Sequence, residues 1–374
     1  MALALPDLSA LFGGTYTGRR VLVTGHTGFK GSWLTLWLRA MGADVYAFAL
    51  PPATVPAHAT LLGEPRSSRH VDLRNAQAVR DAVRDAQPEL VLHLGALALV
   101  RESYAIPVDT IETNVMGLVH LLEAVRTTPS VRAVVTVTSD KCYRITPGAR
   151  PFVEDDPLGG HDPYSASKAC AELLAACWRD SFFAGRVLLA TARAGNVIGG
   201  GDWAADRLVP DLVRAAASGR AVGIRAPHAV RPWQHVLDPL AGYLQLGARL
   251  LDGDETAEGA WNFGPAPDGH VTVDELVTGL QLAWPSIRTT RDQGTHPHET
   301  DILQLDCRRA QQQLGWRPVW DLATSIQRTA QWYRMVYEQG ELRSVDDLVT
   351  YVRDAARAGA PWTRATTRRH EVAA

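Results

Sequence analysis

The sequence has almost no net charge, few cysteines and no long apolar segment. Its 374 residues carry a formal net charge of −2, which argues against general binding to a nucleic-acid backbone. The four cysteines lack the spacing of a zinc site, so we expect no bound metal and a reducing cytoplasm. The longest apolar run, near residues 91–100, is far too short to cross a bilayer, and residues 1–6 lack the basic stretch of a signal peptide. We therefore expect a cytoplasmic protein that binds neither nucleic acid nor membrane.

The strongest pattern near the N-terminus is a strand, a glycine-rich turn and a helix. Residues 20–24 form a β-branched run typical of a buried parallel strand, and residues 25–31 follow the spacing G-x-x-G-x-x-G. Residues 32–41 predict a helix that ends at Gly42. Glycines at such a junction let the backbone approach a pyrophosphate, which the helix N-terminus then stabilises. An ordinary glycine-rich turn is the alternative interpretation.

A second strand, predicted over residues 44–50, is expected to end near the adenine ribose of a bound dinucleotide. An acidic residue at this point is typical of NAD binding, but here the strand runs into Pro51 and Pro52. No arginine replaces the acidic residue, so NADP is not indicated either. The sequence favours NAD as the cofactor.

Strand and helix patterns alternate through the N-terminal half of the chain. Strands are predicted over residues 89–95, 133–138 and 186–191, and helices over residues 111–126 and 164–183. This alternation predicts an α/β fold, a Rossmann-type doubly wound parallel sheet with helices on both faces. Active-site groups of such a sheet gather at the carboxyl ends of its strands.

The sequence pattern changes after residue 194, and this change indicates a smaller α/β C-terminal lobe that closes over the substrate. We expect an NAD-binding domain over residues 1–193 and a substrate lobe mainly over residues 194–345. A segment near residues 230–265 is expected to return to the first domain. Residues 346–374 are expected to form a C-terminal helix and tail.

The spacing of Tyr164 and Lys168 is the most informative feature of the chain. Residues four apart face the same side of a helix, so the ammonium of Lys168 is predicted to lower the pKa of the Tyr164 phenol. Tyr164 could then take a proton from a substrate hydroxyl while a hydride leaves its carbon. Such a pair also occurs by chance on amphipathic helices. Here, however, Ser139, Asp140 and Lys141 fall at the carboxyl end of a predicted strand.

The two predicted helices carry more apolar residues than one buried stripe requires. This pattern predicts a helix-to-helix dimer face formed by residues 111–126 and 164–183. Asn114 is polar among these apolar residues. It is either a satisfied core amide or part of the hydrogen-bond network of the site.

Arginines of the C-terminal lobe are candidate ligands for a diphosphate, because one guanidinium can bind two oxygens at once. Arg207, Arg225 and Arg231 are these candidates, with Arg231 the strongest. Each has the alternative interpretation of a solvated surface charge. Residues 295–299 contain two histidines with only one residue between them, a spacing that does not favour a metal site.

Several of these stretches together resemble the CDP-glucose 4,6-dehydratase family of the extended short-chain dehydrogenase/reductase superfamily. They follow the order of that family at residues 23–33, 138–143, 162–168, 193–203, 231–236, 261–265, 296–299, 305–307 and 314–316. The dehydratase resemblance depends chiefly on Ser139, Asp140 and Lys141. Related dTDP-glucose dehydratases carry Thr-Asp-Glu at this point, and the 4-epimerases lack the acid pair.

The resemblance implies NAD as cofactor, a nucleotide sugar as substrate and a homodimer or homotetramer built through the two helices. It implies catalytic roles for Ser139, Asp140, Lys141, Tyr164 and Lys168. The implied cofactor-binding residues are Gly25, Thr27, Gly28, Phe29, Lys30, Gly31, Asp72, Leu73, Ala96, Tyr164 and Lys168. The implied substrate-binding residues are Arg101, Asn196, Arg207, Arg225, Arg231 and His298.

The resemblance also implies a separate role in the reaction for each catalytic residue. Tyr164 takes the proton of the 4-hydroxyl of the sugar as a hydride passes to NAD, Ser139 hydrogen-bonds the same oxygen, and Lys168 tunes the tyrosine and holds the nicotinamide ribose. Asp140, kept protonated, donates to the leaving C6 hydroxyl, and Lys141 removes the C5 proton. A Lys141 that only pairs with Asp140 would instead leave an oxidoreductase or an epimerase.

Three departures from the family pattern leave the sugar open. Residues 95–101 lack the usual proline, Glu102 follows Arg101, and His161 replaces a common tyrosine. The alternatives are a 4,6-dehydratase of another nucleotide sugar, with a different base or a heptose, and a nucleotide-sugar 4-epimerase or decarboxylating relative. A more remote alternative is a non-catalytic NAD-sensing protein.

Overall fold

The computed structural model describes residues 5–146, 150–292 and 303–364, and a parallel sheet lies at its centre. The strands are β1 (Arg20–Thr24), β2 (Asp44–Ala49), β3 (Ser67–His70), β4 (Leu90–His93), β5 (Ala133–Val137), β6 (Leu188–Ala194), β7 (Val197–Ile198), β8 (Ala221–Ile224), β9 (Val230–Pro232), β10 (Gln234–His235), β11 (Gly259–Phe263), β12 (His270–Thr272) and β13 (Arg288–Arg291). Seven of them form one sheet in the order β11-β6-β5-β4-β1-β2-β3. Every neighbouring pair in it is parallel.

Helices cover both faces of this sheet. They are α1 (Phe29–Ala40), α2 (His58–Leu62), α3 (Ala76–Ala86), α4 (Val100–Ala105), α5 (Pro107–Ile111), α6 (Gly117–Arg126), α7 (Pro163–Trp178), α8 (Leu208–Ala217), α9 (Leu237–Leu251), α10 (Val273–Ala283), α11 (Leu322–Arg334) and α12 (Ser344–Arg357). A π-helical turn, Glu112–Met116, joins α5 to α6, and a second, Arg179–Phe183, extends α7. None of the described helices is both long and apolar enough to cross a membrane.

The central strands are buried on both sides. Val21 and Val23 of β1 pack into the core on the α1 and α9 face, whereas Leu22 packs into the core on the α3, α6 and α7 face. Side chains alternate between the two faces of a strand, so two covered faces require a continuous apolar run. This confirms the predicted doubly wound parallel sheet.

The chain leaves the sheet after β6 and builds three small two-stranded sheets. They pair β7 with β10, β9 with β12, and β8 with β13. The chain returns through α9 and β11, which adds an edge strand beside β6. The return falls within the segment near residues 230–265, but the domain boundaries at 193/194 and 345/346 remain predictions.

Aromatic packing joins α1 to the glycine-rich segment after β7. The Trp33 indole N–H donates to the carbonyl of Gly200 at 2.8 Å. A Cβ on Gly200 would lie 2.0 Å from the Trp332 ring, so only glycine fits between the two tryptophans. This contact fixes the position of residues 199–202 relative to the nucleotide end of the sheet.

Candidate active site

The glycines of the β1–α1 turn have different structural roles. Gly25 has φ of 75°, and a Cβ there would lie 2.7 Å from the backbone nitrogen of Gly95 at the end of β4. A Cβ on Gly31 would lie 2.1 Å from the Gly25 carbonyl oxygen. A side chain on Gly28 would meet only that carbonyl, at 3.4 Å, and so would occupy the open space above the turn. Gly25 and Gly31 are thus required by the fold, and Gly28 leaves room for a ligand.

The start of α1 is suited to an anion. Gly28 is the N-cap residue, and no side chain in the described structure caps this end of the helix. Its first-turn N–H groups have no intrahelical partner and are available to a phosphate. The turn therefore fits the pyrophosphate of a dinucleotide.

The other predicted cofactor residues lie at the same edge of the sheet. Thr27 Oγ1 donates to the Leu50 carbonyl at 3.0 Å, which ties the turn to the end of β2. Leu73 packs against Gly95, where an added Cβ would lie 2.8 Å from Leu73 Cδ1. Asp72 is paired with Arg74 at 2.7 Å, and this guanidinium lowers the pKa of its carboxyl. Phe29 and Ala96 are half-buried beside them.

Asn114 holds the loop after β4 against α7. Its amide oxygen accepts from the Leu97 N–H at 2.8 Å, and its NH2 group donates to the Leu97 carbonyl at 3.0 Å and to Ser167 Oγ at 2.9 Å. Asn114 is buried. It is therefore a satisfied buried amide that positions a loop at the cofactor edge.

Tyr164 and Lys168 face the same side of α7, as their spacing predicts. Asp162 caps this helix by accepting the Ser165 N–H at 2.9 Å. Lys168 Nζ donates to the carbonyl of Val137, the last residue of β5, at 3.2 Å, and lies 6.0 Å from the centre of the Tyr164 ring. The pair thus lies at the carboxyl end of the strand that leads into Ser139.

Burial is the largest influence on the Tyr164 phenol, and the predicted effect of Lys168 on its pKa stays a prediction. Burial raises the pKa of Tyr164 to about 12, and the hydroxyl of Ser139 and the guanidinium of Arg207 oppose this rise. Burial also lowers the pKa of Lys168 to about 8, because removal from water disfavours its charge. Spacing alone cannot reveal how deeply both groups are buried.

Asp140 is buried, and only one of its two carboxyl oxygens accepts a hydrogen bond from a described residue. Its Oδ1 accepts from Ser139 Oγ at 3.0 Å, while its Oδ2 has no hydrogen-bond partner among the described residues. A Cβ on Gly195 would lie 2.9 Å from this Oδ2. Burial raises the pKa of Asp140, and Lys141 is the charge that opposes this most. The protonated state of Asp140 that the resemblance implies stays a prediction.

Lys141 lies in the short helical turn Asp140–Cys142 that follows Ser139. Its backbone N–H donates to Ser139 Oγ at 3.2 Å, and its side chain is half-buried. The structure therefore places Lys141 beside Asp140. Whether it acts as the base remains a prediction.

Lys30 and Tyr243 form a contact that no sequence pattern predicts. Lys30 Nζ donates to Tyr243 Oη at 3.2 Å and lies 5.6 Å from the centre of that ring. Burial lowers the pKa of Lys30 to about 7, and Asp140, Arg207 and Lys168 also act on it electrostatically. Its side chain thus points towards the catalytic groups, although it belongs to the nucleotide-binding turn. Tyr243 gave no sequence signal, since it lies within an apolar helical pattern.

The predicted substrate-binding residues divide into two groups. Arg207 pairs with Asp202 at 2.9 Å and acts on Tyr164, so it lies at the catalytic end. Arg101 and Arg225 both approach Asp206 Oδ1, at 3.3 and 3.5 Å. Arg101 and Arg225 therefore contact the same segment, residues 202–207, that contains Arg207.

The remaining predicted substrate residues are Arg231, Asn196 and His298. Arg231 Nη1 donates to the Val230 carbonyl at 3.0 Å, and the Asn196 carbonyl accepts from the Gln234 N–H at 3.2 Å. His298 lies outside the described residues. The described ranges contain no cluster of three potential metal ligands, and residues 295–299 lie outside them.

A buried network of charged and polar side chains connects the elements that carry the catalytic groups. Arg193 and Glu172 pair at 2.7 Å with side chains only 4% and 3% exposed. Thr138 donates to Glu172, and Tyr143 Oη accepts from Arg193 at 2.6 Å and donates to Asn262 at 2.8 Å. Three of the sequence stretches quoted above, residues 138–143, 193–203 and 261–265, are therefore tied together through this network. It fixes the end of β5 relative to α7.

Comparison with known proteins agrees with this geometry. The model of the NAD dependent epimerase/dehydratase family matches residues 21–262. The chain is 46% identical over 329 residues to a CDP-glucose 4,6-dehydratase of Salmonella typhimurium (strain LT2), covering 85% of this chain and 91% of that protein. The chain belongs to the NAD dependent epimerase/dehydratase family.

Other family members agree in fold but differ in reaction. A dTDP-glucose 4,6-dehydratase of Streptomyces griseus is 29% identical over 327 residues, 84% of this chain and 93% of that protein. The solved structure of DesIV (dTDP-glucose 4,6-dehydratase) from Streptomyces venezuelae with NAD and TYD bound has a TM-score of 0.71 at 26% identity, covering 87% of this chain and 99% of that one. A UDP-glucose 4-epimerase of Thermus thermophilus, solved in complex with NAD, has a TM-score of 0.72 at 26% identity, covering 84% and 98%. The fold alone therefore does not separate dehydratases from epimerases in this family.

Proposed function

We propose that this family member is an NAD-dependent nucleotide-sugar 4,6-dehydratase that converts CDP-D-glucose to CDP-4-keto-6-deoxy-D-glucose. The observation that carries the proposal is the position of Asp140, which is buried with its Oδ2 unpartnered among the described residues and lies beside Lys141 and the Tyr164–Lys168 pair. Burial also raises the pKa of this carboxyl. A 4-epimerase needs the tyrosine pair but no acid for a leaving hydroxyl. The nucleotide is inferred from the 46% identical CDP-glucose 4,6-dehydratase.

The first step is proton removal from the 4-hydroxyl of the sugar. When bound, NAD supplies the acceptor for the C4 hydride and the donor that returns it to C6. Tyr164 takes the hydroxyl proton, and Ser139, which lowers the pKa of Tyr164, lies where it can hydrogen-bond the same oxygen. Arg207 further stabilises the phenolate by its charge.

The second step is elimination of water across C5 and C6. The new 4-ketone acidifies the C5 proton, which Lys141 removes, while Asp140 donates its proton to the departing C6 hydroxyl. The hydroxide and this proton leave as one water molecule. Lys141 returns the C5 proton when the hydride reaches C6, so the sugar loses water without net oxidation.

The cofactor is held by the turn between β1 and α1. Gly28 leaves space for the pyrophosphate, the first-turn N–H groups of α1 would bind it, and Lys168 would hold the nicotinamide ribose. Arg207 together with Arg101 and Arg225 would receive the diphosphate of the substrate, because guanidinium groups bind phosphate oxygens in pairs.

The protein is proposed to act as a homodimer or homotetramer in the cytoplasm. Half of the large hydrophobic side chains exposed in the described structure lie on α4, α5, the following π-helical turn and the extended α7: Tyr104, Val108, Ile111, Met116, Leu173 and Phe182. α5 and α7 pack against each other, so these side chains lie on neighbouring helices. An apolar face of this kind favours a symmetric partner. All four cysteines carry free thiols, which fits a reducing compartment.

The proposal is tested by incubating the NAD-loaded protein with CDP-, dTDP-, UDP-, GDP- and ADP-glucose and weighing the products by mass spectrometry. Loss of one water from CDP-glucose alone is the expected result. Loss of water from another nucleotide sugar would keep the reaction and replace the substrate. A product of unchanged mass with inverted C4 would identify a 4-epimerase and overturn the proposal.

A further inference from the structure

Ser103 is a buried residue of α4 whose hydroxyl reaches the catalytic helix. It is 1% exposed, and its Oγ donates to the Val100 carbonyl at 2.6 Å within its own short helix. The same oxygen accepts the backbone N–H of Tyr164 at 3.2 Å, although the two residues are 61 positions apart. A hydroxyl has one hydrogen to donate and two lone pairs with which to accept, so it can form both bonds at once. Ser103 therefore joins α4 directly to the proposed base.

This bond satisfies a donor that α7 cannot satisfy by itself. The first N–H groups of a helix have no intrahelical partner, and Pro163, the first residue of α7, has no N–H at all. The Asp162 carboxylate accepts the N–H of Ser165, the third residue, at 2.9 Å. Ser103 accepts the N–H of Tyr164, the second residue. The cap of α7 is thus completed from another helix, at the catalytic tyrosine itself.

The carbonyl of Tyr164 is held from the same part of the chain. It accepts from Ser167 Oγ at 2.7 Å, and Ser167 accepts from the Asn114 amide at 2.9 Å. Asn114 also bonds both backbone groups of Leu97, in the loop that leads into α4. Both backbone groups of Tyr164 are therefore tied, directly or through these side chains, to residues 97–103.

We propose that Ser103 is a positioning residue that fixes the Tyr164 phenol where it can take the proton of the 4-hydroxyl of the sugar. The proposal rests on the function proposed above, in which Tyr164 is the base. Ser103 transfers no proton to or from the sugar and acts only through the backbone of Tyr164. Without its oxygen this buried N–H loses its partner, and the start of α7 is free to move towards another acceptor. A displacement of about 1 Å at a reacting group can lower a rate about a hundredfold.

Ser103→Ala in the NAD-loaded protein tests the proposal. The kcat for dehydration of CDP-glucose should fall about tenfold or more while KM changes by about twofold or less, because the base is displaced and the substrate contacts remain. Deuterium at C4 of the sugar should also slow the variant more than it slows the unsubstituted protein. Proton removal by Tyr164 accompanies the hydride transfer, so a displaced tyrosine makes that step limit the rate.

Ser325→Ala is the matched control. Ser325 is also fully buried, and its hydroxyl donates to the Asp321 carbonyl at the start of its own helix, α11, at 2.8 Å. This variant should lower the melting temperature and leave both kcat and the isotope effect unchanged. A Ser103 that only stabilises the fold predicts the same behaviour for Ser103→Ala, and that result overturns the proposal.

NMR spectra of the protein with isotope-labelled tyrosine separate this proposal from the proposed function. The ring resonance of Tyr164, identified by its loss in Tyr164→Phe, can be recorded in the NAD-loaded protein without any substrate. A shift of this resonance in Ser103→Ala but not in Ser325→Ala supports the positioning role even if no nucleotide sugar is dehydrated. A resonance that stays in place in Ser103→Ala overturns the role even if CDP-glucose is dehydrated.

Discussion

Asp206 lies where two of the predicted substrate arginines, Arg101 and Arg225, converge. Its carboxylate lies 3.3 Å from Arg101 and 3.5 Å from Arg225, and its backbone has φ of 59°. A substrate diphosphate would compete with this carboxylate for the two guanidinium groups. We therefore propose that Asp206 pairs with these two guanidinium groups where the diphosphate of the substrate would bind.

Asp206→Asn is expected to lower the KM for CDP-glucose. Asparagine tolerates a positive φ as aspartate does but leaves both guanidinium groups without a competing charge. Since exposed ion pairs contribute about 1 kcal/mol or less, the expected gain is at most about fivefold. Asp180→Asn, which alters an exposed pair with Arg179 elsewhere, is the matched control. An increase in KM for Asp206→Asn alone would contradict this role.

Asp140→Asn is expected to lower kcat for dehydration by about a hundredfold or more, because an amide cannot protonate the leaving hydroxyl. Asparagine keeps the shape of the side chain and can still accept from Ser139. The melting temperature should therefore stay close to that of the unsubstituted protein. A dehydration rate within tenfold of the original would exclude Asp140 as the acid.

At the residue scale the sequence predicted the groups that share a motif and missed those joined only by folding. Tyr164 and Lys168 are one helical turn apart, so their common face follows from periodicity. Lys30 and Tyr243 are separated by 213 positions, and neither has a pattern that predicts the other. Burial, which raises the pKa of Tyr164 to about 12, depends on tertiary packing that the spacing of two residues does not show.

The turn between β1 and α1 allows the cofactor role and the folding role of its glycines to be separated. Gly31→Ala would drive a Cβ to 2.1 Å from the Gly25 carbonyl, so loss of both stability and bound NAD is expected. Gly28→Ala meets its nearest atom at 3.4 Å, so the melting temperature should be nearly unchanged while retained NAD falls. Differential scanning calorimetry and the NAD content of the purified protein measure the two effects. Full NAD content in Gly28→Ala would place the pyrophosphate elsewhere.

At the element scale the long periodic segments were predictable and their ends were not. The first helix was predicted over residues 32–41 and spans Phe29–Ala40, since the glycines around its start hid the first turn. The helix predicted over residues 111–126 is an α5–π–α6 composite that already begins at Pro107. The two-residue strands β7 and β10 are too short to show any period.

The exposed apolar face on α5 and α7 makes a prediction for the whole molecule. If the proposed oligomer forms through this face, Met116→Lys combined with Leu173→Lys should leave monomers, because two charges would be buried in a symmetric interface. Leu282→Lys on α10 is a suitable control, since that side chain is 81% exposed but lies outside this face. Analytical ultracentrifugation measures the mass. A double variant that keeps the mass of the unsubstituted protein would contradict this interface.

Asp238 links α9 to the C-terminal part of the molecule and should make its stability depend on pH. Its carboxylate accepts from the Val319 N–H at 2.7 Å and from Tyr351 Oη at 2.8 Å, and burial raises its pKa from 3.8 to about 7. Between these values the folded state keeps a proton that the unfolded chain has lost. This contribution to stability is therefore complete below about pH 4 and is lost as pH rises through 7.

Asp238→Asn removes that titration but keeps an acceptor oxygen. The melting temperature of the unsubstituted protein should exceed that of the variant by more at pH 5 than at pH 8. The exposed Asp44→Asn serves as control, with a difference that stays constant. A gap between the unsubstituted protein and Asp238→Asn that widens as pH rises would contradict the assignment.

CDP-glucose carrying deuterium at C4, converted by the NAD-loaded protein in ordinary water, tests the proposed dehydration most directly. A 4,6-dehydratase built on Tyr164, Asp140 and Lys141 moves the C4 hydrogen to C6 and eliminates one water. The expected product is therefore lighter by one water and carries the deuterium in its C6 methyl group. A product that keeps its C6 hydroxyl, with deuterium still at C4, would contradict it.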